Sequence, residues 1–396
     1  MASTPTRVSA FRGLNNVTDQ VRLGLPWLTQ ADNINITSTG AVRRRAGREK
    51  VAAGAMSGAF SSADFTRLYV VSDNALCAAG PDLALVPIQV GISSLPMQWA
   101  QLNDHIYFTN GIESGVIDID GTVIPWALPA PPAPVVSAIS GGAPAGMYQV
   151  RLTHMWPDGR EGCSSTESTV VLTQPGGVRV SGIALGPTGT ARVYIATTDS
   201  TLFQLAGEAT STTFDWVSSP DTLGAELTNA FMDAVPAGAE VIAAWRGRIY
   251  VSLYLPTEDQ TAILYSEPLA AHLFNYARNF ISVPGRVTAL APHEDALVIG
   301  TSRKVYAYTP DALKTLADYG VVPGMPWATD GNRLLIWTLR GLCQYPDFTN
   351  LTERRVSVAP GVHAGAALVE QDGQTRFVVA LHAGGIAFNP RKEVSP

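Results

Sequence analysis

The sequence predicts an all-β protein, namely a β-propeller of about six blades with a β-sandwich inserted between its second and third blades. Three observations lead to this fold class. The 36 glycines and 27 prolines among 396 residues exceed average usage and suit many short strands joined by turns. An apolar triplet recurs at the spacing of propeller blades. One interval between triplets is long enough to contain a separate small domain.

The recurring triplet consists of three aliphatic or aromatic residues that follow a turn containing Asp, Asn or Gly. Its six copies are Leu68-Tyr69-Val70, Ile106-Tyr107-Phe108, Ile249-Tyr250-Val251, Leu297-Val298-Ile299, Leu334-Leu335-Ile336 and Phe377-Val378-Val379. Their middle residues are 38, 143, 48, 37 and 43 positions apart. Four of these spacings are close to the roughly 40–45 residues of a four-stranded blade. Five or seven blades are alternative counts, because the first copy of the repeat is the weakest match to the pattern.

The stretch from Phe280 to Pro310 shows the expected unit. We predict a first strand that ends at the turn Pro284-Gly285, a second strand from Val287 to Leu290, the triplet as third strand, and a fourth strand from Val305 to Tyr308. In the six copies the fourth strand is expected to begin at Leu76, Val116, Ile263, Val305, Leu342 and Ile386.

The interval of 143 residues exceeds one blade period by about 102 residues, the size of a small β-sandwich. Strands are predicted there at Tyr148–Thr153, Ser168–Leu172, Val178–Ile183, Ala191–Ala196, Phe203–Ala206 and Thr213–Trp216. The lead PAPPAPVV, the stretch YQVRLTHMWPDGREG and the strand ARVYIA resemble fibronectin type III-like modules. We therefore predict an arm at 1–50, two blades at 51–129, an inserted immunoglobulin- or fibronectin-III-like sandwich at 130–225, and blades three to six at 226–396.

The arm is predicted to contain a short helix from Leu25 to Asp32, where Pro26 fits the first turn. A hairpin follows, with strands at Asn33–Thr37 and Ala41–Arg45. Its far end carries a basic cluster made of Arg43, Arg44, Arg45, Arg48 and Lys50. Two interpretations stay open. The cluster is either a charged strand edge that prevents stray pairing, or a surface for an acidic partner subunit or DNA phosphates.

Charge and cysteine content exclude several classes of function. A net charge of −6 argues against neutralising a phosphate backbone. Charged residues are 15%, against roughly 25% in typical domains, which favours a large core or extensive subunit contacts. The three distant cysteines fit neither a disulfide framework nor a Cys-x-x-Cys zinc site. We expect folding in a reducing compartment, no cleaved signal and no membrane insertion, since no run of 18 apolar residues occurs.

The sequence contains no motif typical of catalysis: GxSxG, GxxxxGK, GxGxxG and HExxH are all absent. Asp118 and Asp120 lack the further ligands of a calcium loop, and His293-Glu294-Asp295 occupies a turn, so both are predicted as turns. The six histidines have no metal-like pairing; they are His105, His154, His272, His293, His363 and His382. We predict a non-enzymatic protein without a cofactor or metal.

Three tryptophans, Trp99, Trp245 and Trp327, lie at equivalent places in the repeat, just before the triplet. Large aromatic side chains at such positions pack one blade against the next. Stacking on a sugar is the alternative interpretation of the same pattern.

The N-terminal region carries a resemblance to a known family. Phe11-Arg12-Gly13-Leu14-Asn15-Asn16 is followed by the stretch from Asn33 through Thr37 and Gly40 to Arg43-Arg44-Arg45-Ala46-Gly47. This order resembles the opening of tail nozzle, or head-to-tail stabilisation, proteins of tailed bacteriophages. Those proteins begin with Gly-x-Asn-Asn, then an Asn-x-x-x-Thr strand, a glycine turn and an arginine-rich strand that leads into a propeller. The motifs cover about 40 residues.

The resemblance implies a virion structural protein, assembled in the host cytoplasm, that forms a ring of six copies through which DNA passes. The implied partners are a portal or head-tail adaptor and tail fibres or other tail proteins. The residues assigned to the assembly interface are Phe11, Asn15, Asn16, Asn33, Thr37, Gly40, Arg43, Arg44, Arg45 and Arg48. Two alternatives stay open: a distal adhesin that binds surface glycan, and a propeller hydrolase or lyase acting on sugar.

Overall fold

The computed structural model describes residues 8, 10–37, 39–45, 50, 54–198, 200–371, 374–382 and 388–393. Within these residues the only helical element is a short 3-10 turn, Pro220–Thr222. All other regular elements are β-strands, most of them in small antiparallel sheets. The prediction of an all-β protein is confirmed.

The N-terminal arm, residues 10–45, contains two strand pairs. Its strands are β1 Gly13–Leu14, β2 Trp27–Leu28, β3 Ile34–Ile36 and β4 Val42–Arg44. β1 pairs with β2 in parallel, and β3 pairs with β4 as the predicted antiparallel hairpin. The predicted helix from Leu25 to Asp32 is wrong, because Trp27 and Leu28 pair with β1 instead. A helix of two turns is marginal on its own and gives way to such a partner.

Two four-stranded sheets follow, each an antiparallel meander in chain order. Sheet 1 contains β5 Met56–Ser61, β6 Leu68–Ser72, β7 Ala75–Ala79 and β8 Leu85–Val90. Sheet 2 contains β9 Gln98–Leu102, β10 His105–Thr109, β11 Ser114–Ile117 and β12 Val123–Ile124. Asp73 and Asn74, with φ of 48° and 62°, make the tight turn between β6 and β7.

Residues 135–216 form a unit of two sheets, called the two-sheet unit below. Its strands are β13 Val135–Ala143, β14 Gly146–Thr153, β15 Ser168–Leu172, β16 Gly176–Ser181, β17 Ala191–Ala196, β18 Gln204–Ala209 and β19 Thr213–Trp216. The sheet orders are β13-β16-β19 and β15-β14-β17-β18. One hydrophobic cluster that includes Tyr148, Val178, Val193 and Trp216 draws on both sheets. β13 was not predicted, because its sequence VVSAISGGA lacks a strict apolar alternation.

Sheets 3 and 4 follow the two-sheet unit. Sheet 3 contains β20 Ile242–Trp245, β21 Arg248–Leu255, β22 Gln260–Glu267, β23 Ala270–Phe274 and β24 Phe280–Pro284. Both β23 and β24 pair with β22, at different parts of its length. Sheet 4 is a meander of β25 Val287–Pro292, β26 Leu297–Thr301, β27 Val305–Thr309 and β28 Ala312–Ala317.

The last part of the chain contains sheets 5 and 6. The strands, in order, are β29 Gly324–Met325, β30 Trp327–Thr329, β31 Leu334–Thr338, β32 Gly341–Tyr345, β33 Thr349–Asn350, β34 His363–Gln371, β35 Gln374–His382 and β36 Phe388–Glu393. Sheet 5 is the meander β30 to β33, and sheet 6 is β34 to β36 with β29 added in parallel beside β34.

All six apolar triplets lie on strands. In sheets 1 to 5 the triplet lies on the second strand and not the third, and in sheet 6 it lies on β35, after β29 and β34. The reason is visible around Pro284-Gly285. β24, predicted to open a unit, pairs with β22 and belongs to the preceding sheet. The fourth strand of sheet 4 is β28, which was not predicted. Of the predicted starts of the fourth strand, Ile386 lies outside the described residues.

Each of sheets 1 to 5 packs on the next sheet in chain order through a shared hydrophobic cluster. Three tryptophans add hydrogen bonds across these boundaries. Trp126 Nε1 donates to Ala271 O at 2.8 Å, Trp245 Nε1 to His293 O at 2.7 Å, and Trp337 Nε1 to Pro360 O at 3.0 Å. The boundaries between sheets are therefore fixed by packing and by buried polar contacts.

Candidate assembly interface

Asn15 closes the first turn of the arm. Its backbone N–H donates to Leu28 O at 2.7 Å. Its side-chain Oδ1 accepts from the backbone N–H groups of Val17 at 3.2 Å and Thr18 at 3.0 Å. The residue is buried. These are the contacts by which asparagine commonly stabilises a turn, so Asn15 shapes the arm from within.

Asn16 fastens the arm to a segment 341 residues further along the chain. Its backbone N–H donates to Arg355 O at 3.0 Å. Its side chain donates to Ser357 O at 2.9 Å and accepts from Ser357 N–H at 2.8 Å. The Arg355 guanidinium also lies 5.6 Å from the centre of the Trp27 ring, within cation–π range. We call these contacts the arm clamp; they place the arm beside the connection between sheets 5 and 6.

Changing Asn16 to alanine is expected to release the arm without unfolding the sheets. Two side-chain hydrogen bonds are lost, each worth roughly 1 kcal/mol, so local opening of residues 11–28 should become about 5–30-fold more frequent. Hydrogen exchange of these residues measures the change. Asn332→Ala, at an exposed asparagine in the first turn of sheet 5, is the matched control and should leave arm exchange as in the wild type. Unchanged exchange in Asn16→Ala would show that the clamp does not hold the arm.

The hairpin is held against the start of the arm at Gly40. Phe11 N–H donates to Gly40 O at 2.8 Å, and Gly40 has a φ of +79°. A side-chain Cβ at this position would lie 2.8 Å from Ala10 Cβ and 2.9 Å from Phe11 N. Only glycine allows this approach and this conformation. Within the hairpin, Thr37 N–H donates to Ala41 O at 2.8 Å and Arg45 N–H donates to Asn33 O at 2.8 Å.

Arg43 and Arg44 lie on β4 and are exposed, together with Val42, whose exposed fraction is 40%. One edge of β4 pairs with β3. Among the described residues, neither arginine forms an ion pair. The arm thus presents a short strand with one apolar and two cationic side chains to solvent.

The predicted interface residues therefore separate into groups. Six of them make contacts that shape or fasten the arm: Phe11, Asn15, Asn16, Asn33, Thr37 and Gly40. Arg43 and Arg44 remain exposed, Arg45 is partly buried, and Arg48 lies outside the described residues. Sequence reasoning missed Arg355 and Ser357, because nothing local marks a backbone carbonyl and N–H as a docking point.

The two-sheet unit is joined to sheets 2 and 3 by contacts between main chain and side chain. Cys163 N–H donates to Leu128 O at 3.2 Å, and Asn229 Nδ2 donates to Gly162 O at 2.6 Å. His272 Nε2, on β23, lies 3.2 Å from Glu161 O. Burial raises the pKa of the Cys163 thiol to about 12, so this cysteine stays protonated and unreactive. These contacts form a joint that holds the two-sheet unit at a fixed place beside sheets 2 and 3.

His272 should make the stability of this joint depend on pH. Burial, and then the charge of Arg160, lower its pKa from 6.5 to about 4. The unfolded chain therefore binds the proton first. The contribution of neutral His272 to the free energy of unfolding is fully present above pH 6.5. As the pH falls from 6.5 to about 4, the free energy of unfolding decreases by about 1–3 kcal/mol. Urea denaturation across this range measures the loss.

Replacing His272 by glutamine should flatten this dependence, because glutamine takes up no proton. If His272→Gln retained the wild-type profile, the proton uptake would belong to another group.

A crevice of about 480 Å³ opens at the same joint, between the proline-rich lead and residues 232–237. Tyr276 stands at its edge, and its hydroxyl donates to Ala234 O at 2.6 Å. The one thiol in its wall is the protonated Cys163. This thiol is therefore not an activated nucleophile.

The clusters of ionisable residues noted in the sequence occupy turns, as predicted. In the turn after β11, Asp118 O accepts from Gly121 N–H at 3.0 Å. His293 is buried and places Nε2 3.1 Å from Asn332 O, and its ring lies 4.9 Å from that of Tyr345. His293 thus packs sheet 4 on sheet 5. In the described part of the chain, no group of three or more His, Cys, Asp or Glu residues is arranged to hold a metal ion.

The tryptophans singled out in the sequence pack between sheets. Trp99 and Trp245 are almost completely buried, in the clusters of sheets 1 and 2 and of sheets 3 and 4. Trp327 is partly buried against the cluster of sheets 4 and 5. These positions confirm the packing interpretation and leave no ring face of Trp99 or Trp245 open for a sugar. No helix among the described residues has the length and apolar character required to cross a membrane.

No family model and no curated protein matches this chain. Solved structures match at low identity. Virginiamycin B lyase from Staphylococcus aureus is 11% identical over 83% of this chain and 92% of its own, with a TM-score of 0.34. Hydrazine synthase from Kuenenia stuttgartiensis is 10% identical over 85% and 95%, with a TM-score of 0.37. The β-propeller domain of the Trilobed protease from Pyrococcus furiosus is 9% identical over 65% and 84%, with a TM-score of 0.22. β-Propeller proteins are thus among the structural neighbours.

Proposed function

We propose that this chain is a non-enzymatic structural protein of a phage tail. In this proposal six copies form a nozzle-like ring that links the portal and its adaptor to the distal tail and surrounds the path of DNA. The observation that carries the proposal is the arm. Its Gly-x-Asn-Asn motif is used for the clamp at Arg355 and Ser357, and the clamp leaves a basic strand exposed at Val42 to Arg44.

The proposal includes a definite architecture. Sheets 1 to 6 are taken as six blades of one propeller, since each packs on the next in chain order. Closure of the ring is supported by β29. It pairs with β34 of sheet 6, while Met325 packs against the cluster of sheets 1 and 2. The two-sheet unit is taken as an immunoglobulin- or fibronectin-III-like insertion within residues 130–225, supported by its own hydrophobic cluster.

In the proposed role, each part of the chain has a mechanical task. The blades give a rigid body, the joint at Cys163 and Asn229 holds the insertion at a fixed place, and the hairpin is the element that contacts a neighbouring subunit. Adaptor and fibre proteins are the further partners, and DNA is contacted only in passage. No catalytic residue, cofactor or metal is part of the proposal.

The proposal is tested on purified phage particles and on the purified chain. An antibody against the chain should label the tail near the head, and native mass spectrometry of the tail complex should give six copies of the 42.0 kDa chain. Labelling at the distal tip would favour the adhesin instead. Absence of the chain from particles would end the proposal.

A further inference from the structure

Three large apolar residues occupy a backbone conformation that rarely suits them, at turns where their side chains are exposed. Phe65, Leu83 and Leu269 have φ of 59°, 61° and 60°. Their exposed fractions are 86%, 40% and 88%. Left-handed backbone favours glycine or asparagine, and exposure gives an apolar side chain no gain within its own chain. Neither local conformation nor burial accounts for these residues.

Equivalent turns in other sheets show what the chain uses when no outward apolar side chain is present. In sheet 2 the turn before the last strand has its left-handed position filled by Gly121, with φ of 81°. In sheet 5 the same position is filled by Phe348, with φ of 50°, but its ring packs against the cluster of sheets 4 and 5. This left-handed turn position thus contains either glycine or a residue packed within the fold. The exposed apolar residues Phe65, Leu83 and Leu269 fit neither case, which favours contact with a partner outside the fold.

Phe65 and Leu83 lie at one end of sheet 1, since alternate turns of a meander share an end. The neighbouring turn of sheet 2 lies beside them: Arg67 Nη1 donates to Asp118 O at 3.5 Å. That turn adds Ile119, with an exposed fraction of 60%. We call the turns at residues 62–67, 80–84, 103–104 and 118–122 the turn face. It exposes three apolar side chains, those of Phe65, Leu83 and Ile119, on two adjacent sheets.

The turn face is also acidic. Its turns contain one arginine, Arg67, and five aspartates, namely Asp64, Asp82, Asp104, Asp118 and Asp120. Hydrogen bonds from Ser62 and Thr66 lower the pKa of Asp64 to about 2, so its charge persists in mildly acidic solution. A partner for this surface must therefore offer apolar contact flanked by positive charge.

We propose that the turn face of one copy binds the hairpin of a second copy through Val42, Arg43 and Arg44. The chemistry is complementary, since β4 carries one exposed apolar residue and two exposed cations. This inference rests on the proposed ring function and deepens it by naming the surface that receives the hairpin.

The contact joins two copies and not two parts of one copy. β5 begins at Met56 and ends at Ser61, where the turn face begins. The clamp at Ser357 holds the arm at the connection between sheets 5 and 6, which is also the end where first strands begin. The clamp and the turn face thus lie at opposite ends of the sheets, and the hairpin is held to the clamped arm at Gly40. Such a head-to-tail contact closes into a ring when the rotation between copies allows it.

The experiment mixes two variants of the full chain. One carries Val42→Cys and the other Leu83→Cys, and a short bismaleimide is added. A heterodimer containing one chain of each variant is the expected product. The natural cysteines Cys77, Cys163 and Cys343 are buried. Leu313→Cys is the matched control in place of Leu83→Cys, because Leu313 on β28 is 42% exposed but lies away from the turn face. Equal cross-linking with Leu313→Cys would overturn the assignment.

A second measurement separates a binding role from a structural one. In Phe65→Gly and Leu83→Gly, glycine relieves the left-handed backbone, so the melting temperature of the monomer should be unchanged or higher. Self-association should weaken on the order of tenfold or more, as expected for apolar anchors at an interface. Phe348→Gly should instead lower the melting temperature, because Phe348 is packed. Charge reversal at Arg43 and Arg44 should weaken association, and Asp82→Arg with Asp120→Arg should restore it.

The outcomes distinguish this inference from the proposed function. If a ring forms but neither cross-linking nor the glycine variants implicate the turn face, the inference is wrong and the ring function stands. If Val42→Cys cross-links to the adaptor and not to Leu83→Cys, the inference is wrong as well. If the chain stays monomeric and is absent from phage particles, both fall.

Discussion

Replacing Trp126 by alanine is expected to lower the free energy of unfolding by about 3–5 kcal/mol, the range for large aromatic residues in cores. Trp126 is fully buried between sheets 2 and 3. Its ring lies 5.3 Å from that of Tyr107 and 6.3 Å from that of Phe274. Removing it leaves a cavity at the boundary that also supports the two-sheet unit. Guanidinium denaturation followed by circular dichroism measures the loss.

The hydrogen bond of Trp126 can be separated from its volume. Trp126→Phe keeps an aromatic ring but leaves Ala271 O without its donor, which should cost about 1–3 kcal/mol beyond the smaller ring. Trp99→Phe is the matched control. Trp99 is also almost fully buried, but its Nε1 has no hydrogen-bond partner among the described residues. Equal losses for both substitutions would mean that the bond to Ala271 adds nothing to stability.

Replacing Arg151 by alanine should destabilise the attachment of the two-sheet unit by about 1–3 kcal/mol, the range for leaving a buried hydrogen-bonding group without its partner. Arg151 is buried, with its guanidinium carbon 4.9 Å from the ring centres of both Phe203 and Phe231. It donates to Glu167, Ser164 and Ala230 O. Alanine would leave Glu167 without its cationic partner and would remove the guanidinium that contacts the rings of both Phe203 and Phe231. Hydrogen exchange of residues 226–235 should rise most.

Two further variants refine this prediction. Arg151→Lys keeps the charge but lacks the planar group that reaches several acceptors, so it should recover only part of the loss. Arg179→Ala serves as the control. Arg179 pairs with Asp215 on the exposed surface of the same unit, where solvent screens an ion pair and it contributes little to stability. A loss at Arg151 no larger than at Arg179 would contradict the role of Arg151 in attachment.

The sequence predicts strands well in this chain and predicts their grouping less well. Each apolar triplet lies on a strand because buried strands need continuous apolar residues, a local property. The grouping depends on which strands share hydrogen bonds. The turn at Pro284-Gly285 joins sheet 3 to sheet 4, yet it has the same residue types as a turn within a sheet. For this reason the predicted unit was displaced by one strand.

The interface residues illustrate a second limit. The basic strand at Arg43 and Arg44 is visible in the sequence, because charge and alternation are local. The clamp is not, since Asn16 binds only the backbone of Ser357, which any residue type would offer. The turn face escaped notice because left-handed turn positions are expected to contain glycine or asparagine, and Leu83 gives no such signal.

The arm clamp has a consequence for the order of events during synthesis. Residue 16 leaves the ribosome hundreds of residues before Ser357, its partner in the clamp. The arm therefore has no docking point until sheet 5 has been made. A nascent chain cannot hold its hairpin in the finished position, and a chain that stops early never does. If the hairpin recruits the next copy, only chains that have passed this point are competent to join a neighbour.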